Sequence, residues 1–160
     1  MRAALPAVCM VLAGCGYGTQ RPFRTDIKTI HVDMFHSKEF RRELEFRLTE
    51  ALVKRIEMDT PYRCADRRTA DALLSGEILR VKNITLGDEF DTDLPREIGS
   101  TAVVRFRLQD MRTGEILTER PRFVFQTSYI PPLGETFSDA MTRSMDGLAE
   151  SIVEAMESEW

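Results

Sequence analysis

An α/β chain built as an α+β sandwich, a four-stranded mixed sheet with two helices packed on one face, is the fold this sequence predicts. Three patterns carry that expectation. Apolar and polar residues alternate over Ile27–Phe35 and Thr101–Met111, the period of a half-buried strand. Two longer stretches repeat apolar residues at helical spacing. Turn signals, above all Asp110-Met111-Arg112-Thr113-Gly114, separate the strand runs.

The elements follow in the order β-α-β-β-β-α. In Ile27–Phe35, Ile30, Val32 and Met34 alternate with Thr29, His31 and Asp33. Ser37 is placed to cap a helix running from Lys38 to Met58. Its apolar face is Phe40, Leu44, Leu48, Ala51, Leu52 and Ile56, while Phe46 and Val53 fall on another face. Those two either widen the buried face or meet another protein; the first is the simpler expectation. Pro61 closes that region. Ala70-Asp71-Ala72-Leu73-Leu74-Ser75-Gly76-Glu77-Ile78 leads into a strand reaching Val81 and Ile84. Gly76 inside it implies a bend or a closely packed neighbour. Leu86–Gly99, polar and acidic with Pro95, reads as a long loop. The strand after it sets Ala102, Val104, Phe106 and Leu108 on one side and Val103, Arg105, Arg107 and Gln109 on the other. Glu115–Tyr129 returns across the turn, with Pro121 implying a bulge or an edge position. Thr136 or Ser138 can cap a last helix to about Glu157, with Phe137, Met141, Leu148, Ile152 and Met156 inward. Asp139, Asp146, Glu150 and Glu157 lie opposite, on a solvated face.

The start of the chain reads differently. Arg2 supplies one positive charge, and Ala3–Ala13 is apolar but too short to span a bilayer, which takes about 20 residues as a helix. This is the form of a secretory signal. A buried N-terminal helix is the alternative, and Pro6 and Gly14 suit it poorly. Leu12-Ala13-Gly14-Cys15 resembles the lipobox of bacterial lipoproteins: an aliphatic residue, two small residues, then the cysteine that takes the lipid. The expected organisation is therefore a signal over 1–14, a lipidated tether over 15–25 and one domain over 26–160. The resemblance implies acyl chains on Cys15, an effectively permanent anchor. Gly16 rather than Asp after it leans toward the periplasmic face of the outer membrane.

Charge and cysteine usage narrow the classes. Loss of Arg2 with the signal takes the formal net charge from −4 to −5. A mildly acidic body does not fit nucleic acid. Once Cys9 leaves and Cys15 is acylated, Cys64 is the remaining thiol, so no disulfide framework forms within one chain. An idle Cys64 is a simpler expectation than a nucleophile. Only His31 and His36 are available, and HExxH, paired CxxC, Walker and GxSxG motifs are all missing. Asp88, Glu89, Asp91 and Asp93 lack the spacing of a calcium loop and read as a solvated acidic stretch. No metal site, no cofactor beyond the covalent lipid and no enzymatic activity are expected.

Several segments, in order, resemble a known family. They are Gly14-Cys15-Gly16-Tyr17, the strand Ile27-Lys28-Thr29-Ile30-His31-Val32, the helix with Leu48 and Leu52, and the Ala70–Ile78 entry. Leu108-Gln109-Asp110 with Thr113-Gly114-Glu115-Ile116-Leu117 across the turn completes them. Together they are similar to the LPS-assembly lipoproteins, the LptE-like family, over essentially the whole mature chain. That resemblance implies a non-enzymatic protein that plugs the β-barrel LptD, helps it fold and helps deliver lipopolysaccharide to the outer leaflet. A periplasmic activator or secretion-channel accessory lipoprotein is the rival, since such chains can share these elements. Lipopolysaccharide phosphates favour paired cations. The nearest candidates are Arg80 with Lys82 and Arg105 with Arg107, each pair spaced by two and so sharing a sheet face. An ordinary solvated face accounts for the same pairs.

Overall fold

The computed structural model describes residues 23–38, 42–88, 95–129 and 137–157. The signal, Cys15, Phe40, Thr136 and the acidic residues Glu89, Asp91 and Asp93 lie outside them. The strands are β1 (Thr29–Val32), β2 (His36–Ser37), β3 (Arg63–Cys64), β4 (Ala72–Asp88), β5 (Pro95–Asp110) and β6 (Ile116–Tyr129). The helices are α1 (Arg42–Asp59) and α2 (Phe137–Glu154).

The α+β class and the mixed sheet match the expectation, but the sheet has six strands rather than four. Its order is β3-β1-β4-β5-β6, with β2 also pairing with β4. The four expected strands are β1, β4, β5 and β6. The additional two are β2 and β3, two residues each, too short to show a period. β1 runs parallel to β4, while β4, β5 and β6 form an antiparallel meander.

Both helices lie on one side. Leu44, Leu48, Ala51, Leu52 and Ile56 of α1 are buried with Met141, Met145, Leu148, Ile152 and Val153 of α2. They meet Ile30, Leu74, Ile78, Val81, Ala102, Val104, Phe106 and Leu108 from the sheet. A fully buried leucine such as Leu48 or Leu52 contributes roughly 1.5–3 kcal/mol by leaving water. Arg55 reaches Glu150 at 3.3 Å, and Arg47 hydrogen-bonds to Thr142, tying the helices across their outer rims.

Two carboxylates fasten one end of the sheet, where Ala72 pairs with Asp110. Asp71 Oδ2 accepts from the Lys28 amide (2.9 Å), the Thr29 amide (3.0 Å) and the Thr29 hydroxyl (3.0 Å), clipping the start of β1 to the start of β4. Asp110 Oδ1 accepts from the amides of Arg112 (2.7 Å) and Thr113 (3.1 Å), and Gly114 takes a φ of 76°. That is the hairpin turn expected at these residues.

Three local expectations change. Leu86–Gly99 is not all loop: β4 continues to Asp88 and β5 starts at Pro95, paired through Asn83↔Ser100, Thr85↔Ile98 and Gly87↔Glu97. The ladder satisfies the backbone there whatever the side chains, so polar composition misleads. Ser37 lies in β2 beside Ile78 and its amide donates to Glu45 Oε1 at 2.6 Å, while the residues it is expected to cap, 39–41, lie outside the described ones. Met34 is 40% exposed and Phe35 is buried instead, because the chain leaves the β1 ladder after Val32 and rejoins β4 as β2. Phe46 does not widen the buried face, being 61% exposed. Gly76 does meet a closely packed neighbour, the buried Phe35 ring.

Candidate functional site: the outer face of the sheet

The face of the meander turned away from the helices holds all four cations singled out in the sequence. Their placement follows from the register. Ile78 pairs with Val104 and both are buried, so both point toward the helices. The register then shifts between Ile78 and Arg80, leaving Leu79 as an extra residue. Such a bulge reverses the alternation of the strand that carries it. Val81 consequently points inward, opposite Ala102, while Arg80 and Lys82 point outward opposite Val103 and Thr101. Without the bulge, both cations would face the core.

The two pairs therefore merge into one stripe. Successive outward cross-strand positions are Ser75–Arg107, Glu77–Arg105, Arg80–Val103 and Lys82–Thr101, one cation in each. At about 3.3 Å per residue, same-face neighbours stand some 6.6 Å apart, so the stripe runs roughly 20 Å.

Its two halves differ in charge. Arg105 Nη2 lies 2.6 Å from Glu77 Oε2, and Arg107 sits in register with Glu119 across β6. The Glu77 oxygen is buried and has no hydrogen bond, so this is a charge contact. A groove of about 550 Å³ opens here, lined among others by Ser75, Glu77, Arg105, Arg107, Glu119 and Pro121. Arg80 and Lys82 pair with no acid among the described residues. Val103 stands opposite Arg80 with Val124, 45% exposed, beyond it on β6, and Ile84, 46% exposed, follows Lys82 on the same face of β4. This half is cationic and apolar at once, the arrangement an amphiphile with a charged headgroup requires.

Pro121 combines both expectations made of it. β6 is the edge strand among the described residues, and its register shifts between Val104↔Phe123 and Phe106↔Arg120, leaving an extra residue at Pro121 and Arg122. On the helix side of this strand, Phe123 meets Phe106 edge-on with centroids 5.6 Å apart.

Other chemistry is not assembled. Cys64 donates weakly to the Val53 carbonyl at 3.8 Å, and burial, with Glu57 nearby, pushes its thiol above the usual pKa. The thiolate is therefore disfavoured. His31 Nδ1 donates to the Ala65 carbonyl at 2.9 Å. Among the described residues, no group of His, Cys, Asp and Glu could hold a metal, and no helix is long and apolar enough to cross a membrane.

Fold and face together define a small α+β body with a cationic stripe on the outer face of its sheet. The sequence model of the lipopolysaccharide-assembly family, LptE, matches residues 27–156, and the chain belongs to that family. No curated protein matches. Among solved structures the fold is similar to a hypothetical protein, CT253, of Chlamydia trachomatis (13% identity, 81% of this chain and 98% of that one, TM-score 0.55). It also resembles PelC of Paraburkholderia phytofirmans, a dodecamer (12% identity, 89% and 96%, TM-score 0.55). Rare lipoprotein B of Shewanella oneidensis is a third (14% identity, 81% and 93%, TM-score 0.50). At these identities the likeness is one of fold.

Proposed function

We propose that this chain is a lipoprotein held by acylated Cys15 at the periplasmic face of the outer membrane, where it plugs and helps assemble the lipopolysaccharide-transport β-barrel, LptD-like. Residues 1–14 are its signal and 15–25 its tether. It assists delivery of lipopolysaccharide to the outer leaflet as a binding protein, without enzymatic activity or a cofactor. The family match over residues 27–156 is the observation that carries this reading. The outer sheet face supports it, since a body seated in a polar barrel lumen must present polar surface.

Within that role, Arg80, Lys82, Arg105 and Arg107 form the contact with lipopolysaccharide. Arg80 and Lys82 are the better placed, because no acid neutralises them among the described residues and the same face offers Val103 and Ile84, with exposed Val124 on the next strand, for acyl chains. Depleting the protein from cells that make it is expected to lower both surface lipopolysaccharide and the amount of folded barrel. Unchanged surface lipopolysaccharide after depletion would overturn the role.

A further inference from the structure

The groove of about 550 Å³ on the outer sheet face differs in chemistry from the cationic end beside it. Each of its two cross-strand rows holds one guanidinium and one carboxylate, Arg105 with Glu77 and Arg107 with Glu119. Arg105 places Nη2 on Glu77, yet its side chain is still 56% exposed. Arg107 and Glu119 are exposed as well. Ser75 stands in register with Arg107 and His36 with Glu77, adding a hydroxyl and an imidazole to the lining. Arg120, at the rim, turns back to the Glu119 carbonyl at 3.4 Å. A carboxylate only accepts hydrogen bonds and a guanidinium only donates them. A row that holds both, with its charges opposed, favours a group that donates and accepts at once. A hydroxyl does both; a phosphate brings charge that the row already balances, and an acyl chain offers neither. The volume lies within the range of small-ligand sites, about 300–1,000 Å³.

We propose that this groove is a saccharide subsite, which takes the sugars that extend beyond the phosphorylated anchor of lipopolysaccharide. The inference rests on the lipopolysaccharide contact proposed above and assigns the two halves of the stripe different parts of one ligand. Their order along the face supports it. The Glu77–Arg105 row is the next outward row after Arg80–Val103, about 6.6 Å away along β5. Apolar Ile84 lies on the other side of the cations, beyond Lys82. A ligand whose phosphates meet Arg80 and Lys82, and whose acyl chains follow Val124 and Ile84, therefore directs its sugars over the groove. There the guanidinium of Arg107 donates to a sugar oxygen while Glu119 accepts from a sugar hydroxyl, so one ring is read from both sides.

Binding of the full acylated chain, in detergent, to two probes tests this. One probe is lipid A, which ends at the phosphorylated anchor; the other is a lipopolysaccharide that carries core sugars on the same lipid A. The sugars should tighten binding by about tenfold, the equivalent of one or two net hydrogen bonds. That ratio should hold from low to high salt, because contacts to hydroxyls are not screened as contacts between charges are. Arg107→Met with Glu119→Leu removes a donor and an acceptor at exposed positions without changing the net charge, and should bring the ratio toward one. Glu119→Gln leaves Arg107 without its carboxylate: a saccharide subsite loses part of the ratio, whereas an anion site gains. Circular dichroism checks that each variant is folded. Equal binding of the two probes, a ratio that collapses in salt, a ratio indifferent to the double variant, or a ratio that rises in Glu119→Gln would each overturn the subsite and leave the lipopolysaccharide contact standing. Failure to bind either probe would overturn the contact itself, and the subsite with it.

Discussion

Replacing Gly76 with alanine puts a methyl group where there is no room for one. A Cβ built at Gly76 would stand 2.2 Å from Phe35 Cε1, 2.5 Å from Phe35 Cζ and 2.8 Å from the Arg105 carbonyl oxygen. Phe35 is fully buried, and the Arg105 carbonyl belongs to the β5 backbone, so neither moves freely. Overpacking a core in this way costs about 1–3 kcal/mol. Alanine offsets about 0.4–1 kcal/mol of it by restricting the unfolded chain. With two of the three contacts made to a locked ring, a net loss of about 1–2 kcal/mol is expected. At roughly 2–4 °C per kcal/mol for a chain of this size, Tm should fall by about 2–8 °C. Thermal unfolding followed by circular dichroism measures it. In a Phe35→Leu background the ring atoms are gone, and the same change should cost less. A Gly76→Ala protein as stable as the parent, or an equal loss in both backgrounds, would refute the packing argument.

Gly147→Ala should behave differently: its Cβ would come 2.7 Å from Phe125 Cζ, but that ring is only half-buried and can swing, while alanine gains about 1 kcal/mol of helix propensity. Thermal unfolding should therefore show little or no loss, and a loss as large as that at Gly76 would contradict this. Asp71 is held below the usual carboxylate range by the Lys28 amide and by the Thr29 hydroxyl and amide, and Asp110 by the amides of Arg112 and Thr113 and by the Arg112 side chain. A lowered native pKa gives stability that is full above the unfolded value of about 3.9 and lost as pH falls through the native one. Tm should accordingly drop below about pH 4, less steeply in Asp71→Asn; an unchanged slope would remove Asp71 as a contributor. Arg80→Ala with Lys82→Ala should weaken lipopolysaccharide binding more than Arg105→Ala with Arg107→Ala, since Glu77 already meets Arg105. A binding assay showing the reverse order, with both folds intact by circular dichroism, would shift the contact toward the groove.

Side-chain periodicity made much of this architecture legible. Leu44, Leu48, Leu52 and Ile56 declared the buried face of α1, and Ala102, Val104, Phe106 and Leu108 the inward face of β5, because burial and repeat coincide there. Asp110 and Gly114 announced their turn by backbone chemistry that few other residues provide. Backbone pairing without a side-chain signature was not legible. The strands beyond Leu86 are polar, and β2 is too short to show a period. Most consequential is the bulge at Leu79. Strict alternation from Ile78 would have sent Arg80 and Lys82 inward, and one extra residue reverses them. Sequence spacing therefore identified each cation pair but not the stripe that joins them.

Co-purification tests the central claim most directly. The protein would carry a tag at Trp160, be extracted from solubilised outer membrane under gentle conditions, and be weighed against whatever follows it. A large β-barrel recovered in equal amount, with lipopolysaccharide reduced when Arg80 and Lys82 are replaced, is the predicted result. Recovery of peptidoglycan-synthesis or secretion components alone, with no barrel, would contradict it.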